Sequence, residues 1–287
     1  MAVSSFWVDL MGASVNYCDA KGMKTRYLEA GAGEPLILMH GSGGHAEAFA
    51  KNVVPLGEHF HTYAIDMAGH GYTDSHPSLG GTAGIVDHLL RFMDTLGIAK
   101  ANLAGESLGG ASAAKLALEH PDRINKLVFI TGAGLVMGAE ADKLAAAGRE
   151  SLLRLTAAAT SSLSRDTVRA RLAWLFADPD KSITEELVEV RYRIYARRQA
   201  LTAASPAPAA PGSGVGVELT PERLREIKAP FFFLWTEHNP STPWQVAEMA
   251  HKQMPGSRFH VVKDAGHWPQ YEQPAEFNSQ VISFLKG

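Results

Sequence analysis

The stretch Leu103–Gly110 reads LAGESLGG, and inside it Gly105-Glu106-Ser107-Leu108-Gly109 matches G-x-S-x-G. The pattern alone recurs by chance in Gly/Ser-rich turns. Its surroundings give it meaning here. An apolar segment, Lys100–Ala104, leads in, and a helix-like segment, Ser107–Glu119, leads out and stops before Pro121. A serine between a strand and a helix sits on a sharp turn with its hydroxyl raised above a sheet. The flanking glycines let that turn pass close to its neighbours without a Cβ in the way. Ser107 is therefore the candidate nucleophile.

Upstream, Val15–Cys18 and Met23–Leu28 read as two short strands joined at Ala20-Lys21-Gly22. Pro35–Met39, PLILM, is a continuous apolar run, as expected of a strand buried on both faces of a parallel sheet. It runs into His40-Gly41-Ser42-Gly43-Gly44. Glycines straight after a central strand place backbone N–H groups at the sheet's carboxyl edge, where such folds bind ligands. Ser42 and Gly43 are candidates for half of an oxyanion hole, with the N–H of Leu108 as the other half. His61–Ile65, Lys126–Thr131, Pro230–Trp235 and Arg258–Val262 read as further strands. Thr82–Leu96, Pro243–Gln253 and Pro274–Leu285 read as helices, and Thr220-Pro221-Glu222 as a helix start. Strands alternating with helices imply an α/β protein with a doubly wound, mostly parallel sheet.

That alternation breaks after Gly132. Residues 134–218 are helix-like and rich in Ala and Arg. Asp142–Leu155 reads as an amphipathic segment. Thr184–Arg198 reads as a helix with Ser182 or Thr184 as its cap, Glu185 and Glu186 in the first turn, and arginines towards its end. Ser205–Gly216, SPAPAAPGSGVG, reads as a loop or hinge. The division that follows is a sheet domain over 1–133 and 219–287, with a helical cap over 134–218.

Composition narrows the function classes. A chain of 287 residues with 46% hydrophobic content suits one large domain with an insertion. A net charge of −3 gives no electrostatic case for nucleic acid or an anionic membrane. The single cysteine, Cys18, forms neither an internal disulfide nor a thiolate metal site, which points to a cytoplasmic protein. The first residues lack a basic and apolar leader pattern, and no run reaches membrane-spanning length. His59 and His61 have ligand-like spacing but no evident third partner, so no metal and no cofactor is expected. The expected partner is a small molecule. Oligomeric state is not legible, and a homodimer stays open.

Asp264-Ala265-Gly266-His267-Trp268-Pro269 follows the last strand. A histidine there reaches a serine on the elbow and takes its proton. The order serine, acid, histidine is that of α/β-hydrolases. With His40-Gly41, Asp66-x-x-Gly69-x-Gly71, Gly105–Gly109 and Gly266-His267-Trp268 all in place, the chain resembles an α/β-hydrolase over nearly its whole length. Several features are similar to the meta-cleavage product hydrolases, which split carbon–carbon bonds in vinylogous 1,5-diketones from aromatic breakdown. These are HGSG at His40–Gly43, Asn52 before an apolar pair and Pro55, Glu186 followed by Arg191, and the Gly-His-Trp triplet. The resemblance implies that Arg191 holds the substrate's carboxylate end and that Trp268 lines the pocket. Asn52 and Glu106 join them as candidate substrate contacts.

Three positions depart from that family's pattern. Glu106 stands where an amide side chain is usual, and a carboxylate there repels an anionic dienoate. Gly44-His45 stands where Pro-Gly is common. After Pro230–Trp235 the turn reads Trp235-Thr236-Glu237-His238-Asn239-Pro240, so Asn239 occupies the place of the triad aspartate. Asn239 is then the third catalytic position, and Glu237, two residues earlier, is a candidate surrogate acid. The expected function is serine-dependent hydrolysis of a small organic substrate, with carbon–carbon cleavage of a ring-fission product first. Ester hydrolysis, and a lyase or cyclase reaction on the same fold, are the alternatives.

Overall fold

The computed structural model describes residues 5–76, 78, 80–204 and 216–287. Its strands are β1 (Ser14–Asp19), β2 (Lys24–Ala30), β3 (Pro35–Met39), β4 (His61–Ile65), β5 (Ala101–Glu106), β6 (Ile124–Ile130), β7 (Phe231–Thr236) and β8 (Arg258–Val262). They form one sheet in the order β1-β2-β4-β3-β5-β6-β7-β8. β1 and β2 pair antiparallel, as do β2 and β4, and every pairing from β4 through β8 is parallel. This is the α/β-hydrolase fold expected from the sequence.

The helices are α1 (Phe6–Asp9), α2 (Ala50–Gly57), α3 (Gly81–Thr95), α4 (Leu108–Glu119), α5 (Ala139–Ser161), α6 (Arg165–Ala173), α7 (Pro179–Ser182) and α8 (Glu185–Ala204). They continue with α9 (Pro221–Glu226), α10 (Trp244–Lys252), α11 (Pro269–Glu272) and α12 (Pro274–Lys286). α5 extends well beyond the amphipathic segment read from sequence, because its Ala-rich flanks favour helix without marking a face. Thr184, not Ser182, caps α8, its Oγ1 accepting from the Leu187 N–H at 3.1 Å. The expected hinge, Ser205–Gly216, lies outside the described residues except for Gly216 itself.

Strand alternation builds two cores. Ile37, Phe129, Phe233 and Trp235 face one side of the sheet with Phe92 of α3. Leu36, Leu38, Val128, Ile130, Phe232 and Leu234 face the other with Phe49 and Phe277. The second core continues into Leu172 of α6, Leu187 of α8 and the connecting residues Leu175 and Phe176, so the stretch between β6 and β7 packs onto the sheet as one apolar body. Where α4 crosses the sheet, a Cβ on Gly109 would strike the Met39 carbonyl and one on Gly105 the backbone of Gly109. Those glycines bring the start of α4 directly over the ends of β3 and β5.

Candidate active site

Parallel strands deliver their following loops to one edge of the sheet, and the site is assembled there. Ser107 follows β5 with φ 53° and ψ −112°, a conformation that costs a non-glycine residue strain energy. Its N–H donates to the Ile130 carbonyl at 3.0 Å, and its carbonyl accepts from Ala133 at 3.1 Å. These bonds hold the strained turn. Leu108 opens α4, so its N–H lacks an intrahelical acceptor.

The glycine loop after β3 is pinned from below. Asp66 accepts from the Ala46 N–H at 2.7 Å and the Tyr72 N–H at 2.9 Å, and meets Arg26 at 3.2 Å. Burial raises the Asp66 carboxyl above its ordinary value, against the pull of Arg26. Nδ1 of His40 donates to the Gly41 carbonyl at 2.8 Å, and its Nε2 accepts from the Met67 N–H at 3.2 Å. Both ring nitrogens are thus occupied in structure, and burial drives the His40 imidazole well below its usual value. Gly41, Ser42 and Gly44 line the pocket, whereas the Gly43 carbonyl accepts from the Tyr195 hydroxyl at 3.2 Å. Gly43 therefore fastens the loop to α8 while Ser42 faces the cavity.

His267 sits on the loop between β8 and α11. Its N–H donates to the Leu175 carbonyl and its carbonyl accepts from the Thr131 hydroxyl at 2.9 Å. A Cβ on Gly266 would strike the backbone of Leu175 and Phe176, so only glycine fits there. Glu272 accepts from the N–H groups of both Gly266 and Ala177, tying this loop to the inserted helices.

The His267 ring has a partner on each nitrogen. Nδ1 lies 2.8 Å from Asn239 Oδ1. Asn239 spends its own amide N–H on the Thr242 carbonyl at 2.8 Å, which turns Oδ1 towards the ring. Nε2 lies 2.9 Å from Oε1 of Glu106, and both side chains are almost wholly buried. Neither Glu106 oxygen completes an aligned hydrogen bond among the described residues, so this is a close approach rather than an aligned bond.

Two expected site residues lie elsewhere. Glu237 is exposed and directs its carboxylate to the Asp264 N–H, beside His238, not to His267. The turn after β7 carries it to the outer side, because its N–H is held by Val262 of the neighbouring strand. Asn52 is buried on α2, where its NH₂ donates to the Gln270 carbonyl at 3.0 Å and to Asn278 at 2.9 Å. It joins α2 to α11 and α12 and is not among the residues lining the pocket.

The pocket is lined by Gly41, Ser42, Gly44, Glu106, Ser107, Leu152, Arg171, Leu175, Arg191, His267 and Trp268. Arg191 is buried, with its guanidinium carbon 5.3 Å from the Trp268 ring centre and Nη1 3.5 Å from the Tyr195 hydroxyl. Its Nε and Nη2 have no hydrogen-bond partner among the described residues. Burial pushes the Tyr195 phenol up, but Arg191 and Arg171 outweigh that and hold it below its ordinary value. Arg171 is the charged lining residue that sequence reasoning missed, along with the apolar Leu152 and Leu175. The signal was there: Val168, Arg171 and Leu172 share the inward stripe of α6, as Leu187, Val188, Arg191, Ile194 and Tyr195 do on α8.

A strained serine at the end of β5, a histidine after β8 and a glycine loop after β3 define the α/β-hydrolases, and the α/β hydrolase fold family model matches residues 34–274. The chain belongs to this family, and it is a hydrolase. It is 31% identical over 279 residues to the 2-hydroxy-6-oxononadienedioate/2-hydroxy-6-oxononatrienedioate hydrolase of Paraburkholderia phymatum, covering 92% of this chain and 91% of that one. It is 28% identical over 279 residues to the 2-hydroxy-6-oxo-6-(2'-aminophenyl)hexa-2,4-dienoic acid hydrolase of Metapseudomonas resinovorans, covering 94% and 90%. Among solved structures it superposes on the meta-cleavage product hydrolase of Pseudomonas fluorescens with a TM-score of 0.78 at 25% identity, covering 94% and 97%.

Proposed function

We propose that this enzyme hydrolyses a carbon–carbon bond in a carboxylate-bearing aromatic ring-cleavage product, with Ser107, His267 and Asn239 as its catalytic group and residues 134–218 as the cap over the substrate. The observation that carries the reading is Arg191. A buried guanidinium with free N–H groups, opening on the same pocket as Ser107, suits a substrate carboxylate. A neutral ester gives such a cation nothing to bind. In the reaction, water adds across the cleaved bond: the ketone carbon leaves as a carboxylic acid, and the other carbon takes a proton and leaves with the dienoate fragment. Ser107 Oγ faces the carbonyl carbon, and the N–H of Leu108 with the glycine loop takes the oxyanion. The single cysteine and the small-molecule site fit a cytoplasmic catabolic enzyme.

The test is turnover of a yellow 2-hydroxy-6-oxo-dienoate, followed by loss of its colour, beside nitrophenyl esters. Faster turnover of the dienoate supports carbon–carbon hydrolysis, and turnover of the esters alone moves the assignment to an esterase. A non-hydrolytic reading is favoured by one observation: Nε2 of His267 contacts Glu106. A fluorophosphonate separates the two, since a hydrolase is labelled at Ser107 and Ser107→Ala is not.

A further inference from the structure

Tyr195 is not among the residues lining the pocket, yet its hydroxyl joins the pocket's arginine to the glycine loop. It lies on α8 one turn after Arg191 and is buried. The hydroxyl donates to the Gly43 carbonyl at 3.2 Å and accepts from Nη1 of Arg191 at 3.5 Å. A phenol has one proton, so the proton goes to the loop and the oxygen faces the guanidinium. Burial raises the phenol, but Arg191 and Arg171 outweigh it and hold the group below its ordinary value. Such a phenol is a strong donor, and the arginine polarises it further.

The loop it holds has little stiffness of its own. Three of the four residues in Gly41–Gly44 are glycine, the residue with the most backbone freedom. The Gly44 N–H closes the turn on the Gly41 carbonyl at 3.0 Å, and Gly43 sits in the left-handed region with φ 68°. Nδ1 of His40 donates to the same Gly41 carbonyl at 2.8 Å, so the start of the turn is held from the core side. Tyr195 holds its end from the side of the inserted helices. A Cβ on Gly43 would stand 2.5 Å from the Tyr195 oxygen, which therefore fills the space that a side chain needs. The Gly43–Gly44 peptide is fixed at its oxygen by Tyr195 and at its N–H by Gly41. Ser42, inside this turn, faces the cavity.

The other side of the hydroxyl matters for Arg191. Nη1 is engaged by Tyr195, whereas Nε and Nη2 have no hydrogen-bond partner among the described residues. Those two nitrogens form one edge of the guanidinium, a fork that matches the two oxygens of a carboxylate. The guanidinium carbon lies 5.8 Å from the Tyr195 ring centre and 5.3 Å from that of Trp268. One phenol thus sets both the plane of the arginine and the end of the glycine turn.

We infer that Tyr195 is a positioning residue that fixes the glycine loop for the oxyanion and presents the open edge of Arg191 to the substrate. It ties the two ends of the substrate site to one point on α8. The inference rests on the reading of Ser107 as nucleophile and of the glycine loop as its oxyanion site, and not on which bond is cleaved. A misplaced donor weakens the transition state more than the bound substrate, so the loss falls on kcat.

The experiment uses Tyr195→Phe in the full chain, which keeps the ring and removes the hydroxyl. The labelling rate of Ser107 by a fluorophosphonate and the kcat for a nitrophenyl ester are expected to fall together, by about ten- to hundredfold. The ester's KM is expected to stay within about twofold, the pattern of an interaction made only in the transition state. A carboxylate-bearing dienoate is expected to lose the same factor in kcat, with a KM raised by about three- to tenfold as Arg191 loses its orientation. Circular dichroism and urea unfolding establish that the variant is folded. A folded variant that is less stable but labelled at the unsubstituted rate overturns the inference, because Tyr195 then only packs α8. A loss confined to the ester's KM overturns it as well. Absence of labelling in the unsubstituted enzyme would instead remove the serine reading, and the inference with it.

Discussion

Nε2 of His267 lies 2.9 Å from Oε1 of Glu106, the residue immediately before the nucleophile. The opposite ring nitrogen faces Asn239 at 2.8 Å. The two departures from the family pattern thus meet on one imidazole. In a serine–histidine–aspartate site the carboxylate on the Nδ1 side stabilises the positive ring formed when serine gives up its proton. Here that side carries an amide, and the carboxyl side chain stands on the Nε2 side.

Removing the Glu106 charge therefore has two separable effects. Glu106→Gln lowers kcat about tenfold, roughly 1.4 kcal/mol, because the imidazolium loses its nearest anion. The same change lowers KM for a carboxylate-bearing dienoate, because a buried like charge leaves the pocket. Steady-state kinetics on the dienoate reads both. A rise in kcat would show instead that Glu106 obstructs the approach of Ser107 to the base.

The sheet and the nucleophile were legible because their signals are local. PLILM, HTYAI and RFHVV coincide with their strands, and G-x-S-x-G needs only a preceding strand and a following helix to be read. Side-chain direction was not legible. Glu237 and Asn239 are two residues apart on one turn, yet only Asn239 faces His267. Glu106 was visible as a departure, but its contact with His267 joins the end of β5 to a loop far along the chain, which local sequence does not reveal. The helix α6 escaped because RDTVRARLA carries little apolar signal, and Arg171 was hidden with it. Its start was readable in principle, since Ser164 and Thr167 form a capping box.

Arg191→Ala raises KM for a carboxylate-bearing dienoate by roughly 10- to 150-fold, the equivalent of a charged hydrogen bond of about 1.5–3 kcal/mol. A neutral nitrophenyl ester loses far less. Comparable losses on both substrates would show that Arg191 serves the packing of Trp268 and Tyr195.

Acid weakens the fold through buried neutral histidines. Burial lowers His88 and His70 to about 4. Nδ1 of His88 accepts from the Ala68 N–H at 3.2 Å, and a proton on that nitrogen ends the bond. A folded-state value below the unfolded one means that unfolding takes up protons, so this stability is complete above about pH 6.5 and is lost as pH falls towards 4. Each histidine costs about 2 kcal/mol between pH 7 and pH 5. Urea midpoints at the two pH values check this, and a flat profile would contradict it.

The last prediction concerns Asn239 and depends on Glu106. The Asn239 NH₂ donates to the Thr242 carbonyl at 2.8 Å while Oδ1 faces both His267 and the Ser241 hydroxyl. An aspartate there restores the usual charge but sets a carboxylate oxygen against the Thr242 carbonyl. Asn239→Asp alone thus lowers stability by about 1–3 kcal/mol, the cost of a buried group left without its partner. It brings little gain in kcat, because Glu106 already supplies an anion to the ring. In a Glu106→Gln background the result reverses, and Asn239→Asp recovers most of the roughly tenfold loss. The two changes act on one imidazole, so their effects on kcat are strongly non-additive. A double-mutant cycle on kcat, with thermal unfolding of all four proteins, gives the coupling directly. If the effects on kcat simply add, the charge of Glu106 does not serve His267, and the serine–histidine pair works without a carboxylate.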